Sequence, residues 1–444
     1  MSEVTVGIDI GTTSVKALAV DADGGVLRRA RVPHDLVVTA ADRLEHRPDQ
    51  AWRAGARQAL AAVAEGLEVA AVEVAAMVPS MCAVDAGGHA LTPGLLYGDS
   101  RAGGASAADP SQSGESVGFV RWCAEVAPGA AGFWPAQAMA NHALSGEAVL
   151  DTTTAMTTVP LFDYTGWDPA VCQSAGARPE QLPRIVPGDQ PASRIAASLP
   201  GAGALLGGGT VDALGEQLVA GADHDGDVLV ILGATLIAWA VVPEWREVGG
   251  LWTVPHTAAG KTLVGGPSNA GGLFLDWVRR LAGDAPPSDD PHAVPVWAPY
   301  PRGERVPLHD PSRRAGLHDL DLTHGPGAVV RAAQEAGGFV IRHQLELAGL
   351  APERIVATGG GTRSDRWLQA IADATGLPVD VVAVPEGAAL GAAFQARVIA
   401  GLEVNAVDAR RWARTDRRVE PDGRWLGPVS ARYERFRELT AADP

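Results

Sequence analysis

The chain contains one strand–turn–strand pattern twice, about half a chain apart, and this repetition limits its folds more than any other feature. The first copy spans residues 4–20 and turns at Gly11-Thr12-Thr13-Ser14. The second spans residues 228–242 and turns at Gly233-Ala234-Thr235. Runs of aliphatic and β-branched residues on both sides of a glycine turn predict a β-hairpin. Two such hairpins, separated by helical stretches, predict a duplicated α/β architecture.

Composition and charge exclude several classes of partner. The 444 residues carry a net charge of −16, and 46% of them are hydrophobic, as in folded globular proteins. The acidic balance disfavours nucleic acid and anionic membranes as partners. The N-terminus has no basic stretch followed by an apolar one, and the apolar run 228–242 is shorter than the roughly 18 residues of a membrane span.

The cysteines indicate a reducing compartment. Cys82, Cys123 and Cys172 are odd in number, widely spaced and without a CxxC pattern. They predict neither a disulfide framework nor a zinc site. We therefore expect a cytoplasmic protein, and the sequence leaves a homodimer open.

The first turn has the chemistry of a phosphate-binding loop. A Gly-Thr-Thr-Ser turn offers backbone N–H groups and hydroxyls that converge on one point, as a polyphosphate requires. Asp9, at the end of the preceding strand, suits Mg²⁺, which takes one or two carboxylates together with phosphate oxygens. The same turn also occurs in ordinary hairpins, so by itself it leaves that alternative open.

Two further glycine-rich turns precede predicted helices. The turn from Gly359 to Ser364 leads into a helix that Ser364 would cap and that Gly376 would end. Such a turn lets the backbone approach a ligand closely. The turn from Gly207 to Asp212 ends in a carboxylate, which suits a general base. The simpler alternatives are a plain strand-to-helix turn and, at Asp212, a helix N-cap.

Two other phosphate-binding loops are excluded. Gly260-Lys261-Thr262 resembles the end of a P-loop, but Pro255 stands where the first glycine of that loop is required. No GxGxxG pattern follows the first strand, which disfavours a dinucleotide-binding fold.

Together these features resemble the FGGY family of carbohydrate kinases, within the actin-like ATPase superfamily, and most closely its xylulokinase-like branch. The resemblance is collinear over nearly the whole chain. The motifs that carry it are, in chain order, Gly7-Ile-Asp-Ile-Gly-Thr-Thr-Ser-Val-Lys16, Glu45-His-Arg-Pro48 with Trp52, Tyr97-Gly-Asp-Ser-Arg101, Leu144-Ser-Gly-Glu147 with Asp151, Trp167-Asp-Pro169, Asp212, Gly233-Ala-Thr235, Pro299-Tyr-Pro-Arg-Gly-Glu-Arg305, His309-Asp-Pro311, and Gly359 to Ser364 continuing to Glu386-x-Ala-Ala-Leu-Gly-Ala-Ala393.

The resemblance implies two actin-like (ribonuclease H-like) domains facing a central cleft, an N-terminal one over residues 1–224 and a nucleotide-binding one over residues 225–444. It implies ATP-dependent phosphorylation of a hydroxyl of a small sugar. Asp212 would be the catalytic base, and Asp9 and Asp212 would hold Mg²⁺. The residues implied to contact ATP are Gly11, Thr12, Thr13, Ser14, Lys16, Gly233, Thr235, Gly359, Gly360, Gly361 and Ser364.

The residues implied to contact the sugar are Met81, Cys82, Asp99 and Asp212. Many xylulokinases have Gln-Met-His where this chain has Ser80-Met81-Cys82. A thiol is a smaller and weaker hydrogen-bonding group than an imidazole, so we expect a roomier, less polar pocket there. The alternative is that Cys82 merely packs beneath the strand.

We expect a ketopentose such as xylulose as substrate, with ribulose, another ketose or a polyol as alternatives, because Val211-Asp212-Ala213 is more like ribulokinases. A catalytically silent ATP-binding regulatory protein of the same fold is a rival hypothesis, and the retention of Asp9 and Asp212 argues against it. An ATPase acting on protein partners would have no use for the sugar-side motifs.

Overall fold

The structure, a computed structural model, describes residues 4–103, 115–257, 260–283 and 285–441. The chain forms two compact α/β units. Unit 1 comprises Met1–Val219 and Glu386–Trp412, and unit 2 comprises Ala220–Pro385 and Ala413–Pro444. The first boundary lies close to the predicted one at residues 224 and 225. The predicted division placed 386–412 in the C-terminal domain, whereas this segment packs in unit 1.

Fourteen strands in unit 1 belong to the described residues. They are β1 (Val4–Ile10), β2 (Ser14–Val20), β3 (Val26–Pro33), β4 (Val37–Ala40), β5 (Arg43–His46), β6 (Val69–Ala76), β7 (Ser80–Val84), β8 (Gly94–Leu96), β9 (Gly132–Trp134), β10 (Val149–Asp151), β11 (Arg184–Val186), β12 (Ser193–Arg194), β13 (Leu205–Leu206) and β14 (Thr210–Val211).

The main sheet of unit 1 has the order β12-β13-β6-β1-β2-β3, and β14 also pairs with β6. The predicted hairpin β1–β2 is confirmed, and its register pairs Asp9 with Lys16. The strands β1, β13 and β14 all run parallel to β6. A second sheet has the order β4-β5-β8-β7-β9, and β10 pairs with β11.

Seven α-helices of unit 1 lie within the described residues. They are α1 (Gly55–Ala64), α2 (Glu115–Val126), α3 (Ala136–Ser145), α4 (Thr152–Met156), α5 (Pro169–Ser174), α6 (Asp212–Ala220) and, from the later segment, α10 (Gly387–Ile399). The last helix is rich in small residues and lies close to β1, since a Cβ atom on Gly7 would be 1.8 Å from the carbonyl oxygen of Ala389. This backbone proximity holds the later segment in unit 1, and local sequence patterns do not reveal it.

Unit 2 has nine strands among its described residues, and seven of these make one sheet, as in the main sheet of unit 1. Its strands are β15 (Asp227–Leu232), β16 (Leu236–Val242), β17 (Trp252–Pro255), β18 (Thr262–Ser268), β19 (Val296–Ala298), β20 (Gly316–His318), β21 (Arg354–Thr358), β22 (Val379–Val382) and β23 (Thr415–Val419). The order is β17-β18-β16-β15-β21-β22-β23, and β19 pairs separately with β20. The predicted hairpin β15–β16 is confirmed.

The helices of unit 2 are α7 (Gly272–Ala282), α8 (Pro326–Leu347), α9 (Asp365–Thr375) and α11 (Gly423–Thr440). The helix predicted after Ser364 is confirmed as α9. The side chain of Ser364 caps it by accepting the N–H of Trp367, and Gly376 ends it in the left-handed conformation. Among the described residues, none of the helices is long and apolar enough to cross a membrane.

Candidate active site

Two carboxylates lie at one edge of the main sheet of unit 1. Asp9, near the end of β1, is paired with Ala75 of β6, and Thr210 of β14 is paired with Ala75 from the other side. Asp212 follows β14 directly as the first residue of α6. Because these strands are parallel, their carboxyl ends meet at the same edge. Burial and then the charge of Asp9 raise the pKa of Asp212 to about 6.

Lys16 provides a positive charge at this edge. Its Nζ lies 2.9 Å from Oδ2 of Asp9. The charge of Asp9 raises the pKa of Lys16 against the opposing effect of burial, and the charges of Glu216 and Glu386 raise it further. Both glutamates are buried. Four carboxylates, counting Asp212, therefore lie within electrostatic range of this ammonium group.

The donor set at this edge fits Mg²⁺. Carboxylate oxygens are ligands that Mg²⁺ prefers, and the ion also offsets repulsion between neighbouring carboxylates. Glu386 is paired with Arg29, whose Nη1 lies 3.5 Å from its Oε2. No such arginine pair is found for Asp212 among the described residues, and the negative charge of Asp9 opposes ionisation of its carboxyl group.

The turn between β1 and β2 is closed by its own backbone. The N–H of Gly11 donates to the carbonyl oxygen of Ser14 at 3.1 Å. The hydroxyl of Thr12 lies 3.0 Å from that of Tyr97, and Nε of Arg31 donates to the hydroxyl of Ser14 at 3.2 Å. The predicted phosphate-contacting residues of unit 1 are therefore gathered beside Asp9 and Lys16.

Two histidines hold the carbonyl groups of this turn. Nε2 of His34 lies 3.1 Å from the carbonyl oxygen of Gly11, and Nε2 of His46 lies 2.8 Å from that of Thr12. The indole N–H of Trp52 donates to Nδ1 of His46 at 2.9 Å. Because an indole nitrogen only donates, Nδ1 must be the acceptor, and Nε2–H must donate to Thr12. Burial lowers the pKa of His46 to about 4, so its ring is neutral at physiological pH.

A buried carboxyl group supports the turn that leads to Asp212. Oε1 of Glu73 accepts the N–H of Gly209 at 2.6 Å and that of Val74 at 3.0 Å. Burial, with the charge of Asp151 second, raises the pKa of Glu73 to about 8. Gly209 has φ of +102°, a conformation that other residues rarely adopt. The backbone conformation at position 209 therefore favours glycine, and the carboxyl group of Glu73 fixes the direction of its N–H.

In unit 2 the two predicted nucleotide turns come together. The strands β15 and β21 are parallel and pair Ile231 with Thr358, so both turns lie at their carboxyl ends. A Cβ atom on Gly359 would be 2.9 Å from the carbonyl oxygen of Leu232. The N–H of Gly233 closes its own turn by donating to Thr235 at 3.0 Å. The structure therefore places Gly233, Thr235 and the segment from Gly359 at one edge of this sheet.

A cavity of about 390 Å³ opens beside Ser364 at the start of α9. Its volume falls within the roughly 300–1,000 Å³ of small-molecule sites. Its lining combines apolar side chains, two guanidinium groups and two polar helix residues. The lining residues are Arg279, Ala285, Pro287, Val330, Gln334, Ser364, Asp365 and Arg366.

Three of the predicted sugar contacts, Met81, Cys82 and Asp99, are buried in the structure. Met81 and Cys82 lie in β7, in which every residue is buried. Sγ of Cys82 lies 3.6 Å from Sδ of Met139, so this thiol packs in the core and is not available to a ligand here. The side chain of Asp99 is also fully buried, and it binds Arg101 with Oδ2 at 2.6 Å from Nη2. The burial of β7 favours the alternative in which Cys82 packs beneath the strand, and sugar contact by Met81, Cys82 and Asp99 stays a prediction.

Sequence reasoning missed the side chains that support the unit 1 turns. Glu73 is a lone carboxylate within an otherwise apolar strand, a pattern that marks a buried charge and was available in the sequence. His46 lies in the motif from Glu45 to Pro48 that carries the resemblance, but that motif assigned it no role, and His34 lies in none of the motifs. Their contacts depend on the tertiary fold, so no local pattern could have assigned them.

Comparison with known proteins matches both parts of the chain to one family. Residues 4–108 match the N-terminal domain of the FGGY family of carbohydrate kinases, and residues 235–400 match its C-terminal domain. The first match contains the turn at Gly11, and the second contains Thr235 and the turn at Gly359.

Individual relatives extend over nearly the whole chain. A xylulose kinase of Streptomyces coelicolor is 30% identical, with 92% of this chain and 90% of that protein covered. A gluconokinase of Bacillus subtilis is 24% identical, with 88% and 86% covered. The crystal structure of xylulose kinase from Rhodospirillum rubrum is 25% identical, covers 98% of both chains and superimposes with a TM-score of 0.74.

Proposed function

Because the chain belongs to the FGGY family of carbohydrate kinases, we propose that it transfers the γ-phosphoryl group of ATP to a hydroxyl of a ketopentose, with xylulose as the first candidate. The observation that carries the chemistry is the juxtaposition of Asp212 with Asp9 and Lys16 at one sheet edge. The support for xylulose is that the relatives with 30% and 25% identity are named xylulose kinases.

In the proposed reaction, Asp212 is the general base. The hydroxyl oxygen of the sugar forms a bond to the γ-phosphorus while the bond from that phosphorus to the β–γ bridging oxygen breaks, and ADP leaves. The hydroxyl proton moves to the carboxylate of Asp212. A pKa of about 6 leaves this carboxylate mostly ionised at neutral pH and still basic enough to accept the proton. Its Oδ1 accepts the N–H of Ala213 at 2.7 Å, which orients the group.

The remaining unit 1 residues position phosphate groups. In this proposal Asp9 and Asp212 hold Mg²⁺, which when bound supplies positive charge to the phosphate oxygens. Lys16 orients Asp9 through the 2.9 Å ion pair. The turn at Gly11 offers backbone N–H groups and hydroxyls to phosphate, as a turn of this kind does in other phosphate sites.

In unit 2 we assign the nucleotide to the paired turns and the adjoining cavity. Gly233 and Thr235 would contact phosphate, and the segment from Gly359 to Ser364 would contact the adenosine side. The glycines allow close approach of a ligand to the backbone. Residues 233–235 have no charged side chain, so backbone groups and the Thr235 hydroxyl would make the phosphate contacts.

The test is an ADP-release assay with ATP, Mg²⁺ and a panel of D-xylulose, D-ribulose, gluconate, other ketoses and polyols. We expect sugar-dependent ADP formation with the highest kcat/KM for D-xylulose, and Asp212→Asn serves as the matched control without a base. A higher kcat/KM for gluconate or ribulose would retain the kinase and overturn the xylulose assignment. ATP binding without turnover on any acceptor would favour the regulatory protein.

A further inference from the structure

The side-chain oxygen of one buried glutamine in unit 2 has no hydrogen-bond partner among the described residues. Gln334, in the middle of α8, is 1% exposed. Its Oε1 makes no hydrogen bond to any residue that the structure describes. Buried polar groups are nearly always hydrogen-bonded, so an unpaired one calls for a ligand or a water molecule.

This amide lines the cavity beside Ser364. Val330, one helical turn earlier on α8, lines the same cavity, as do Ala285 and Pro287 from the segment after α7. Arg366 adds a guanidinium group whose Nη1 donates to the carbonyl oxygen of Pro287 at 3.3 Å. Apolar side chains and a planar guanidinium suit the faces of an aromatic ring, whereas an amide suits a polar edge of that ring.

We propose that Gln334 reads the N6/N7 edge of adenine and is the residue that makes this kinase prefer adenine nucleotides. An amide presents one donor and one acceptor, and the N6/N7 edge of adenine presents one donor and one acceptor in the complementary arrangement. Hypoxanthine and guanine carry an oxygen at position 6, so their O6/N7 edge presents two acceptors. One of them would then face the amide oxygen, which is repulsive.

The inference rests on the proposed function only in taking the cavity as the place of the nucleotide base. Ser364 connects the two, because it ends the glycine segment assigned to adenosine and also lines the cavity. Gln334 itself lies outside every motif that identified the family, on a helix more than twenty residues before that segment. The amide is thus an independent observation about the same site.

The experiment measures Kd for ADP, IDP and 7-deaza-ADP by titration calorimetry, with and without Gln334→Met. IDP lacks the N6 amine and 7-deaza-ADP lacks N7. We expect the unmodified chain to bind ADP about tenfold or more tightly than either analogue, as a bidentate contact provides. In Gln334→Met the three affinities should converge, mainly through weaker ADP binding.

A matched control lies on the same helix. Gln344 is also buried, and its Oε1 likewise has no partner among the described residues. Its Nε2 donates to the carbonyl oxygen of Val306 at 3.3 Å, and it does not line the cavity. Gln344→Met should lower Tm and leave the ratio of ADP to IDP affinity unchanged. If Gln334→Met does not fold, Gln334→Glu replaces the donor facing N7 with an acceptor, and it should weaken ADP binding more than 7-deaza-ADP binding.

Three outcomes would overturn the inference: equal affinities for ADP and IDP in the unmodified chain, an undiminished preference in folded Gln334→Met, or loss of affinity with IDP but not with 7-deaza-ADP. These measurements need no sugar. Adenine selectivity that depends on Gln334, without turnover on any acceptor, would refute the proposed kinase reaction and leave the role of Gln334 intact. Sugar-dependent turnover without adenine selectivity would support the proposed kinase reaction and refute the role of Gln334.

Discussion

The turn at Gly11 in unit 1 and the turn at Gly233 in unit 2 are similar hairpin connections with different supports. In unit 1, side chains hold the carbonyl groups: the imidazoles of His34 and His46 contact the carbonyl oxygens of Gly11 and Thr12. These side chains come from β5 and from the segment between β3 and β4, so the support depends on the tertiary fold.

In unit 2, backbone N–H groups bind the carbonyl groups of the turn. The N–H of Gly272 donates to the carbonyl oxygen of Gly233 at 2.9 Å, and the N–H of Leu273 donates to that of Ala234 at 3.1 Å. Both donors lie in the first turn of α7, where backbone N–H groups have no partner within the helix. The N–H groups at the start of α7 thus gain acceptors, and the carbonyl groups of the turn gain donors.

The difference predicts two kinds of sensitivity. A turn held by imidazoles responds to substitution of distant side chains and to acid. A turn held by a helix start tolerates side-chain changes but requires that the two backbones stay close, which demands glycine at the contact. Substitutions in each turn separate these two kinds of support.

The largest expected effect is on chemistry, which we assign to unit 1. Asp212→Asn should lower kcat by about 10²- to 10⁴-fold, as loss of a general base does, while Kd for ADP should change little. Steady-state kinetics and calorimetric titration with ADP provide the two measurements. Near-normal kcat would remove Asp212 from the role of base, and a large loss of ADP affinity would show that the Asp212 carboxylate acts mainly in nucleotide binding.

Adding one methyl group should distort the turn of unit 2. A Cβ atom on Gly271 would lie 2.3 Å from the carbonyl carbon of Thr235 and 2.5 Å from the nitrogen of Leu236. Gly271→Ala should therefore destabilise the protein by about 3 kcal/mol and weaken ATP binding, because backbone must move. Thermal or denaturant unfolding and KM for ATP measure the two effects.

Gly11→Ala is the matched control in the turn of unit 1. A Cβ atom there would meet nothing closer than 3.4 Å, at the carbonyl oxygen of Ser14. The free energy of unfolding should change by less than about 1 kcal/mol. Equal destabilisation by both substitutions would contradict the contrast between the two turns.

The confirmed parts of the sequence prediction are local. The hairpins β1–β2 and β15–β16 follow from aliphatic and β-branched runs on both sides of a glycine turn, and α9 follows from the cap at Ser364 and the stop at Gly376. Each of these signals lies within about twenty residues. Such patterns also placed Asp9 at a strand end and Asp212 at the end of a glycine-rich turn, and β6, which pairs with both β1 and β14, brings the two residues to one edge.

What local patterns did not reveal depends on contacts distant in sequence. Cys82 was assigned to a sugar pocket because a motif resemblance placed a histidine there, but packing of β7 against β9 and α3 buries the thiol. Segment 386–412 joins unit 1 because α10 packs on β1, a contact between residues nearly four hundred positions apart. Neither outcome has a local sequence signal.

Substitution of His46 tests the side-chain support of unit 1. His46→Ala leaves the carbonyl group of Thr12 and the indole N–H of Trp52 without their partner, which should cost roughly 2 kcal/mol and raise KM for ATP more than it lowers kcat. His46→Gln supplies both a donor and an acceptor, so we expect partial recovery of both quantities. Equal effects of the two substitutions would mean that the bulk of the ring matters, not its hydrogen bonds.

The His46→Gln variant also tests how stability depends on acid. The folded-state pKa of His46 is lowered to about 4 from an ordinary value of 6.5, so unfolded chains take up its proton first as pH falls. The stability that neutral His46 contributes is present above pH 6.5 and is lost as pH falls toward 4. Unfolding free energies measured across this range should fall less steeply in His46→Gln than in the unmodified chain.

The smallest expected effect concerns Glu73, whose shift has the opposite sign. Its folded-state pKa is raised to about 8 from an ordinary 4.5, so between these values the folded protein retains a proton that the unfolded chain has lost. Stability should therefore fall as pH rises through this range, by about 1 kcal/mol between pH 6 and pH 7 from this group. Glu73→Gln keeps an acceptor for the N–H of Gly209 and removes the titration, so its unfolding free energy should lose less over that interval. Denaturant unfolding at the two pH values measures the difference, and an equal slope in both proteins would show that Glu73 is already ionised beneath the turn that leads to Asp212.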